Sequence, residues 1–518
     1  MRVCWRPKGI EVKRVSIGGG LALVGLLLGL AACGGGGGSS QPIDGPARLS
    51  SFAYVATRCH EGKRGSAFSG SQALWIQQGD QPPLKIAEYA GGQPPIGGFC
   101  QLWAQNRGSL YIYLLGAFQR MRFTADGSQF LFEVTDDFSV NARVIPEDEQ
   151  GIFAVRPDGT GLHRVAPHSE DPCFRVYWPC ALAPHAGECA CAGYNAQCSF
   201  GASPDGRRIA YTDIGPSVSG EQASQVFTLD LTTGERQQVT RLPLRRVSPA
   251  CVGEDTDCVY PSKHPITIPN FLDNATIGYQ RGSGCSSLSG GGFTVNADGT
   301  EEPVAVPVVA LPGGAVVPVF QITGQAYPVT AKMPGIPEKG SGGGIVGNAI
   351  SEVFVVEPPD SALLPEGRVL QLTNFRRSDT YLPHMSGQHV LFNASTNGLG
   401  TNPSNQCQIF SIDRLGSDLR QLTFFSASGD TPRDCYDYRS PGCTLATDVG
   451  LDRSTGSLLF NSTCDPLGLN PSGVEQAFAI RPDGSGLTQI TRTDGIVRHA
   501  DGSIDVEMVR VFPGGRAR

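Results

Sequence analysis

The sequence predicts an all-β fold, a β-propeller of four-stranded antiparallel blades, with seven blades or else six or eight. The first observation is a unit in which a large apolar residue, a spacer and an aliphatic residue run into a turn built on Gly or Asp. This pattern is typical of a strand entering a hairpin. The unit occurs seven times, starting at Leu74, Phe153, Phe227, Phe293, Phe354, Phe410 and Phe478. Repeats spaced by tens of residues indicate a propeller or a solenoid.

The second observation is another tight turn that precedes most copies, as in Ser203-Pro204-Asp205-Gly206 and Thr455-Gly456. An apolar run follows this turn, and a further short strand such as Gln421-Leu422-Thr423 follows the later one. The unit is therefore strand, tight turn, strand, longer loop, strand, tight turn and strand, which is one blade. We expect the blade cores to come from the repeated phenylalanines, Phe153, Phe227, Phe293, Phe354, Phe410 and Phe478.

The third observation is composition. Among 518 residues there are 67 Gly and 38 Pro, which mark turns, and no long stretch has helical periodicity. The net charge of −7 argues against a nucleic-acid partner, because binding to phosphates requires a basic face.

Two repeats carry a family resemblance. Ser203-Pro204-Asp205-Gly206-Arg207-Arg208-Ile209-Ala210-Tyr211 resembles the signature of TolB-type, WD40-like (PD40) propeller repeats, and the segment from Arg481 to Thr491 resembles their ending. The resemblance covers residues 50–512 and implies a propeller with a periplasmic partner, such as a peptidoglycan-associated lipoprotein. The chain departs from TolB because residues 34–50 cannot form the α/β domain that precedes the TolB propeller.

The N-terminus has the pattern of a bacterial lipoprotein signal peptide, residues 1–32. A basic stretch precedes an apolar run, Leu21 to Leu30, that is too short for an ordinary membrane span. The run ends in Leu30-Ala31-Ala32-Cys33, which is similar to the lipoprotein box, so Cys33 is the predicted lipidation site; an ordinary signal peptide is the alternative. The Gly/Ser-rich residues 33–49 are the predicted tether, 50–512 the propeller and 513–518 a tail.

Export favours disulfides for the fourteen cysteines that follow Cys33. Cys251 and Cys258 share one loop, as do Cys435 and Cys443, so we expect each pair to be bridged. Most of the cysteines in the segment 173–198 should be bridged too; the five candidates are Cys173, Cys180, Cys189, Cys191 and Cys198. A zinc site of His185 with Cys189, Cys191 and Cys198 fits no standard spacing.

Blade geometry assigns the cysteines to one face. The two tight turns of each blade lie on one face, which we call the tight-turn face. The loops between second and third strands, and those between blades, lie on the other, the loop-rich face. All fourteen cysteines fall on or near the loop-rich face, so disulfides would pre-organise it for binding or protect it from proteolysis.

The C-terminal run Val506, Met508, Val509, Val511 and Phe512 is strand-like. We expect it to pair into the first blade and close the ring, because a circular propeller removes its free edges in this way.

The sequence shows little catalytic chemistry. Its eight His residues are scattered, and His384 and His389 flank a turn. Calcium binding by Asp126, Asp158, Asp205, Asp298 and Asp483 is an alternative to ordinary turn chemistry, in which Asp side chains bond to the backbone. Asp379 is a candidate residue of the central channel.

The expected function is therefore that of a non-catalytic lipoprotein of the bacterial cell envelope, on the periplasmic side or the outer membrane. Its loop-rich face would bind an envelope protein or glycan, with no cofactor, no metal, a monomeric domain and membrane contact through the lipid anchor only. The alternative is a propeller enzyme, a hydrolase or lyase, with its site at the channel mouth. That alternative requires His and carboxylate side chains that converge there, and no cluster of this kind is visible in the sequence.

Overall fold

The structure is a computed structural model. It describes residues 45–62, 68–91, 117–124, 126–135, 145–170, 200–243, 269–280, 292–306, 308–311, 316–318, 326–335, 349–357, 368–425, 432, 435, 442–452 and 454–511.

The described elements are strands, apart from one 3-10 turn at Glu147–Glu149. The strands of the first half are β1 (Ser51–Glu61), β2 (Phe68–Gln78), β3 (Leu84–Gly91), β4 (Phe118–Phe123), β5 (Phe130–Val134), β6 (Gly151–Val155), β7 (His163–Ala166), β8 (Gly201–Ala202), β9 (Arg208–Pro216), β10 (Gln222–Asp230), β11 (Arg236–Gln238), β12 (Asn270–Phe271), β13 (Thr276–Gln280), β14 (Gly292–Asn296) and β15 (Val304–Ala305). Those of the second half are β16 (Val308–Ala310), β17 (Val316–Pro318), β18 (Tyr327–Pro334), β19 (Ala349–Glu357), β20 (Arg368–Gln371), β21 (Thr380–Ser386), β22 (His389–Ala394), β23 (Gln408–Asp413), β24 (Arg420–Gln421), β25 (Leu445–Leu451), β26 (Leu458–Ser462), β27 (Gln476–Ile480), β28 (Thr488–Gln489), β29 (Ile496–Arg498) and β30 (Ile504–Arg510).

Seven antiparallel sheets form the blades of a ring. Blade 1 has the strand order β29-β30-β1-β2-β3, and blades 2, 3 and 4 are β4–β7, β8–β11 and β12–β15. Blade 5 has the described strands β18–β20, and blades 6 and 7 are β21–β24 and β25–β28, while β16 and β17 form a separate hairpin. The first strand of a blade lies toward the central channel and the last lies at the periphery. The predicted all-β, seven-bladed propeller is confirmed.

Ring closure joins the two ends of the propeller. β30 pairs with β1 from Val55 opposite Arg510 to Glu61 opposite Ile504. In blade 7, the Asn461 side chain donates to the Val511 carbonyl at 2.7 Å and accepts the Val511 N–H at 3.0 Å. The predicted pairing of the C-terminal run into the first blade is confirmed, with Phe512 outside the described residues.

The repeated phenylalanines belong to the core, as predicted. Phe354, Phe410 and Phe478 are fully buried and Phe227 nearly so, while Phe153 and Phe293 are partly buried and pack against the core. In four blades the ring stacks on an aromatic residue directly opposite on the second strand. These pairs are Phe132–Phe153, Tyr279–Phe293, Phe392–Phe410 and Phe460–Phe478, with ring centroids 5.5, 5.6, 5.8 and 5.6 Å apart.

A buried polar contact, which we call the Gln–Thr clamp, explains the repeated Leu-Thr ending. A threonine after the fourth strand donates its hydroxyl to a glutamine in the third strand, and it accepts the backbone N–H of the residue that follows this glutamine. The pairs are Thr240–Gln225, Thr423–Gln408 and Thr491–Gln476, with hydroxyl–amide distances of 2.9, 2.6 and 2.8 Å. Blade 5 instead has Glu352, which accepts the Thr373 hydroxyl at 2.6 Å, and burial raises the pKa of this carboxyl above its ordinary value.

The tight turns satisfy their own polar groups. The Asp158 carboxylate accepts the Thr160 N–H at 2.9 Å and the Thr160 hydroxyl at 2.7 Å, which together hold the pKa of Asp158 below its usual value. Each of the other Asp residues considered above also accepts the backbone N–H two residues later, namely Asp126, Asp205, Asp298 and Asp483. These contacts are those expected of ordinary Asx turns.

Candidate functional site

Several predicted site residues lie outside the described residues. They are Cys33, the pair Cys251 and Cys258, and the group Cys173, Cys180, Cys189, Cys191 and Cys198 with His185. Their roles stay predictions.

The predicted Cys435–Cys443 disulfide is wrong. Cys435 is bonded to Cys407, and Cys443 to Cys464. The reason is that each cysteine lies beside the second-to-third-strand loop of a different blade. The Cys435 N–H donates to Ser395 of blade 6, and Thr444, which follows Cys443, donates its N–H to Thr463 of blade 7. The assignment of these cysteines to disulfides on the loop-rich face is consistent with both bridges.

Asp379, the candidate channel residue, lies directly before the first strand of blade 6. Its carboxylate is buried and accepts hydrogen bonds from the Lys332 ammonium at 2.9 Å and from the Ser351 N–H at 2.6 Å. It therefore links blades 5 and 6 at the loop-rich end of their junction. His384 and His389 flank the β21–β22 turn of blade 6, as predicted.

Three side chains converge in blade 1. The Asp505 carboxylate accepts a hydrogen bond from His60 Nδ1 at 2.7 Å on one oxygen and from His499 Nε2 at 2.6 Å on the other. The hydrogen bonds from His60 and then from His499 hold the pKa of Asp505 below its usual value. The three side chains are 42% to 48% exposed, so a ligand can reach them. We call this group the His–Asp–His cluster.

The strands of the closed ring position the cluster. His60 on β1 stands directly opposite Asp505 on β30, and His499 follows β29, whose hairpin with β30 is closed by the His499 N–H donating to the Ser503 carbonyl at 3.0 Å. β29 lies on the channel side of β30, and Glu61, at the end of β1, precedes a second-to-third-strand loop. The cluster therefore lies on the loop-rich face, beside the channel mouth.

An ionic pair lies next to the His–Asp–His cluster on the same face of the sheet. Arg58 lies two residues before His60 and donates Nε to Glu507 at 2.8 Å, and Glu507 stands two residues after Asp505. The hydrogen bond to Glu507 raises the pKa of Arg58 above its usual value. On the opposite face of these strands Cys59, Val506 and Met508 pack into the core toward blade 2. The strand alternation thus separates a polar face from an apolar one.

The cluster has the elements of general acid–base chemistry. A carboxylate that accepts one N–H of an imidazole fixes the ring and its tautomer and leaves the other nitrogen to accept or donate a proton. Here one carboxylate orients two such rings. Within the described residues no group of three or more His, Cys, Asp or Glu is arranged to hold a metal ion.

Sequence analysis missed this cluster because His60 and Asp505 are 445 positions apart. The available signal was the predicted closure of the ring by the C-terminal run. An assigned register between β1 and β30 would have placed these two residues opposite each other, since pairing is fixed once one face is buried.

Comparison with known proteins finds no family model and no curated protein that matches the chain. Solved propeller structures do resemble it. An acylaminoacyl peptidase from Pyrococcus horikoshii aligns with 9% identity and a TM-score of 0.41 over 86% of this chain and 51% of the peptidase. A prolyl endopeptidase aligns with 9% identity and a TM-score of 0.42 over 89% of this chain and 50% of the peptidase. An oligogalacturonate lyase from Vibrio parahaemolyticus aligns with 10% identity and a TM-score of 0.36 over 84% of this chain and 98% of the lyase.

These neighbours correct the expected function. None of the three is a non-catalytic binding module, since two are peptidases and one is a lyase; the expectation of such a module finds no support among them and is withdrawn. The expectation that the chain is not an enzyme is withdrawn with it. This chain spans about half the length of the two peptidases. Similarity at this level concerns the propeller fold alone, so the chemistry has to be argued from the residues of the chain.

The part of the chain that the structure describes includes no helix with the length and apolarity needed to cross a bilayer.

Proposed function

We propose that this propeller is a hydrolase or lyase in which the His–Asp–His cluster carries out general acid–base catalysis. The observation that carries the proposal is the shared carboxylate of Asp505, whose two oxygens hold His60 and His499 at 2.7 and 2.6 Å. Two imidazoles held by one carboxylate can serve as base and acid in one reaction.

The reaction class follows from the partners of the imidazoles. In the described part of the chain no serine or cysteine is hydrogen-bonded to either ring, whereas a nucleophile of the Ser–His or Cys–His type requires such a contact. We therefore favour direct attack by water, or proton abstraction followed by elimination, over a covalent intermediate. The partially exposed cluster on the loop-rich face suits a substrate that approaches from the channel mouth.

The test is an activity profile of the purified full chain. Hydrolysis would be followed with peptide p-nitroanilides, nitrophenyl glycosides and reducing-end release from polysaccharides, and elimination by the ultraviolet absorbance of the unsaturated product. We expect turnover in at least one assay and a loss of about 10²–10⁴-fold in kcat for His60→Gln, His499→Gln and Asp505→Asn.

His163→Gln is the matched control, because His163 is an exposed histidine on an outer strand, bonded only to the Gly161 carbonyl. Wild-type kcat in the three cluster variants, or a panel on which the wild type shows no turnover, would contradict the proposal.

We also propose that the enzyme is a lipoprotein of the bacterial envelope and a TolB-like propeller protein. The support is the lipoprotein box ending at Cys33 and the Ser203–Tyr211 repeat. The loop-rich face would then meet an envelope protein or glycan as substrate, with the domain monomeric. Metabolic labelling with palmitate tests the anchor, since Cys33→Ser should lose the label and leave the membrane fraction.

A further inference from the structure

Two buried carboxylates lie at the junction of blades 5 and 6 on the loop-rich face. Glu352 and Asp379 are 0% and 2% exposed, and each bonds to a surface residue that carries a positive charge. Carboxylates are rarely buried unless their hydrogen-bond partners compensate for lost solvation. Glu352 and Asp379 therefore fix the positions of Arg376 and Lys332, which lie above them at the surface.

Glu352 fixes the backbone of Arg376. Its Oε1 accepts the Arg376 N–H at 2.8 Å, and Arg376 has φ of +59°, a left-handed conformation that is costly for a residue with a side chain. Gly335 allows the close approach of the Arg376 carbonyl, since a Cβ there would lie 2.6 Å from that oxygen. The exposed guanidinium is oriented by Asn374, which accepts from Nε at 3.0 Å.

Asp379 fixes the end of Lys332. The Lys332 side chain is 57% exposed, yet its ammonium group is held at 2.9 Å from the buried carboxylate. Both residues lie at the loop-rich ends of their strands, because Lys332 is near the end of β18 and Asp379 directly precedes β21. This contact therefore borders the channel mouth, with blade 7 between it and the His–Asp–His cluster.

The surface of this junction is positive. Arg376 and Arg377 are both exposed, and Lys332 adds a third exposed cation, whose ammonium is paired with the buried Asp379. Burial raises the pKa of Glu352 and so favours its neutral form. The group therefore presents three cationic side chains to a ligand and keeps its two carboxylates buried beneath them, and its strained backbone is the kind of feature that surrounding contacts maintain at functional sites.

We propose that Lys332, Arg376 and Arg377 form an anion subsite that holds an acidic group of the substrate, remote from the bond that reacts at the His–Asp–His cluster. The inference rests on the proposed enzymatic function and adds a substrate class, namely molecules that carry a carboxylate or sulfate group and are long enough to span the channel mouth. Guanidinium groups suit this role because they donate paired hydrogen bonds to such groups.

Binding of a polyanion to the full chain tests the subsite. Fluorescent dextran sulfate is titrated and compared with neutral dextran of the same length. The variant is Arg376→Asn with Arg377→Gln, because Asn tolerates left-handed backbone and so preserves the fold. The matched control is Arg156→Gln with Arg207→Gln, which removes two exposed arginines from the tight-turn face. We expect tighter binding of dextran sulfate than of dextran, and a loss of at least 5-fold only in the junction variant.

Equal losses in the two double variants, or equal binding of charged and neutral dextran, would overturn the subsite. Circular dichroism melting of both variants separates loss of binding from loss of fold. His499→Gln should bind dextran sulfate as the wild type does. Failure of the subsite and failure of the proposed catalysis are therefore seen in different measurements.

Discussion

The two faces of the propeller are built from contacts of different range. On the tight-turn face, carboxylates such as Asp158 and Asp483 bond to the backbone two residues later. On the loop-rich face the contacts cross the sequence: Cys443 joins Cys464, and His60 meets Asp505. The carboxylates named on the first face are satisfied within their own turns, although Asp452 of that face also accepts the Ser50 N–H across the closure at 2.7 Å; on the second face the His60–Asp505 contact exists only when the ring is complete. We therefore expect substitutions on the loop-rich face and at the ring closure to destabilise the protein more than substitutions in the tight turns.

The largest effect should come from removing the closing strand. Deleting residues 504–518 removes the buried side chains of Val506, Met508 and Val509 and leaves β1 unpaired on one edge. Loss of a buried aliphatic side chain costs roughly 2–5 kcal/mol, and three such losses approach the whole stability of a domain. We expect no cooperative melting transition by calorimetry, whereas a chain ending at Phe512, the predicted end of the propeller, should melt as the wild type does. A truncated protein with an unchanged melting temperature would rule out this account of closure.

The next effect concerns a bridge on the loop-rich face. The double variant Cys443→Ser, Cys464→Ser opens a bridge with a sequence separation of 21. The loop-entropy model gives a loss of about 3 kcal/mol. Urea denaturation measures it, and non-reducing peptide mapping should find Cys407 linked to Cys435. A peptide linking Cys435 to Cys443 would show that this pairing is incorrect.

A single closing side chain gives a smaller effect. Asn461→Ala leaves the buried N–H and C=O of Val511 without their partner, at a cost of about 1–3 kcal/mol. Asp483→Ala on the tight-turn face should cost only roughly 0.5 kcal/mol, since it affects one solvated turn. Equal destabilisation by the two substitutions in urea denaturation would remove the difference between the faces.

The smallest effect is pH-dependent and concerns the clamp. The pKa of Glu352 is raised in the folded state, so the stability that it contributes is complete below the ordinary value of 4.5 and is lost as the pH rises through the raised value. Glu352→Gln, which restores the residue of the other clamps, should therefore raise the melting temperature relative to wild type at pH 8 more than at pH 4. Gln408→Glu in blade 6 should show the opposite trend. Parallel pH dependence in the wild type and both variants would refute this explanation.

Features set by neighbouring residues were predictable from the sequence. Phe410 and Phe478 mark their strands because alternation and a following turn are local patterns, and Asp-Gly turns require only their own backbone. The pairing of Cys435 was not predictable from spacing. Cys435 and Cys443 are eight residues apart on one linker, yet each lies beside a loop of a different blade. The cluster at Asp505 and the cations held over Glu352 depend on register between distant strands, which composition and spacing do not encode.

Ring closure also has a consequence in time. During synthesis His60 emerges 445 positions before Asp505, and His499 also follows long after His60. The proposed acid–base group therefore cannot exist on a nascent or C-terminally clipped polypeptide, whatever the state of the other blades. Catalytic competence would arise only when β30 docks on β1, so enzymatic activity would itself report that the ring is closed.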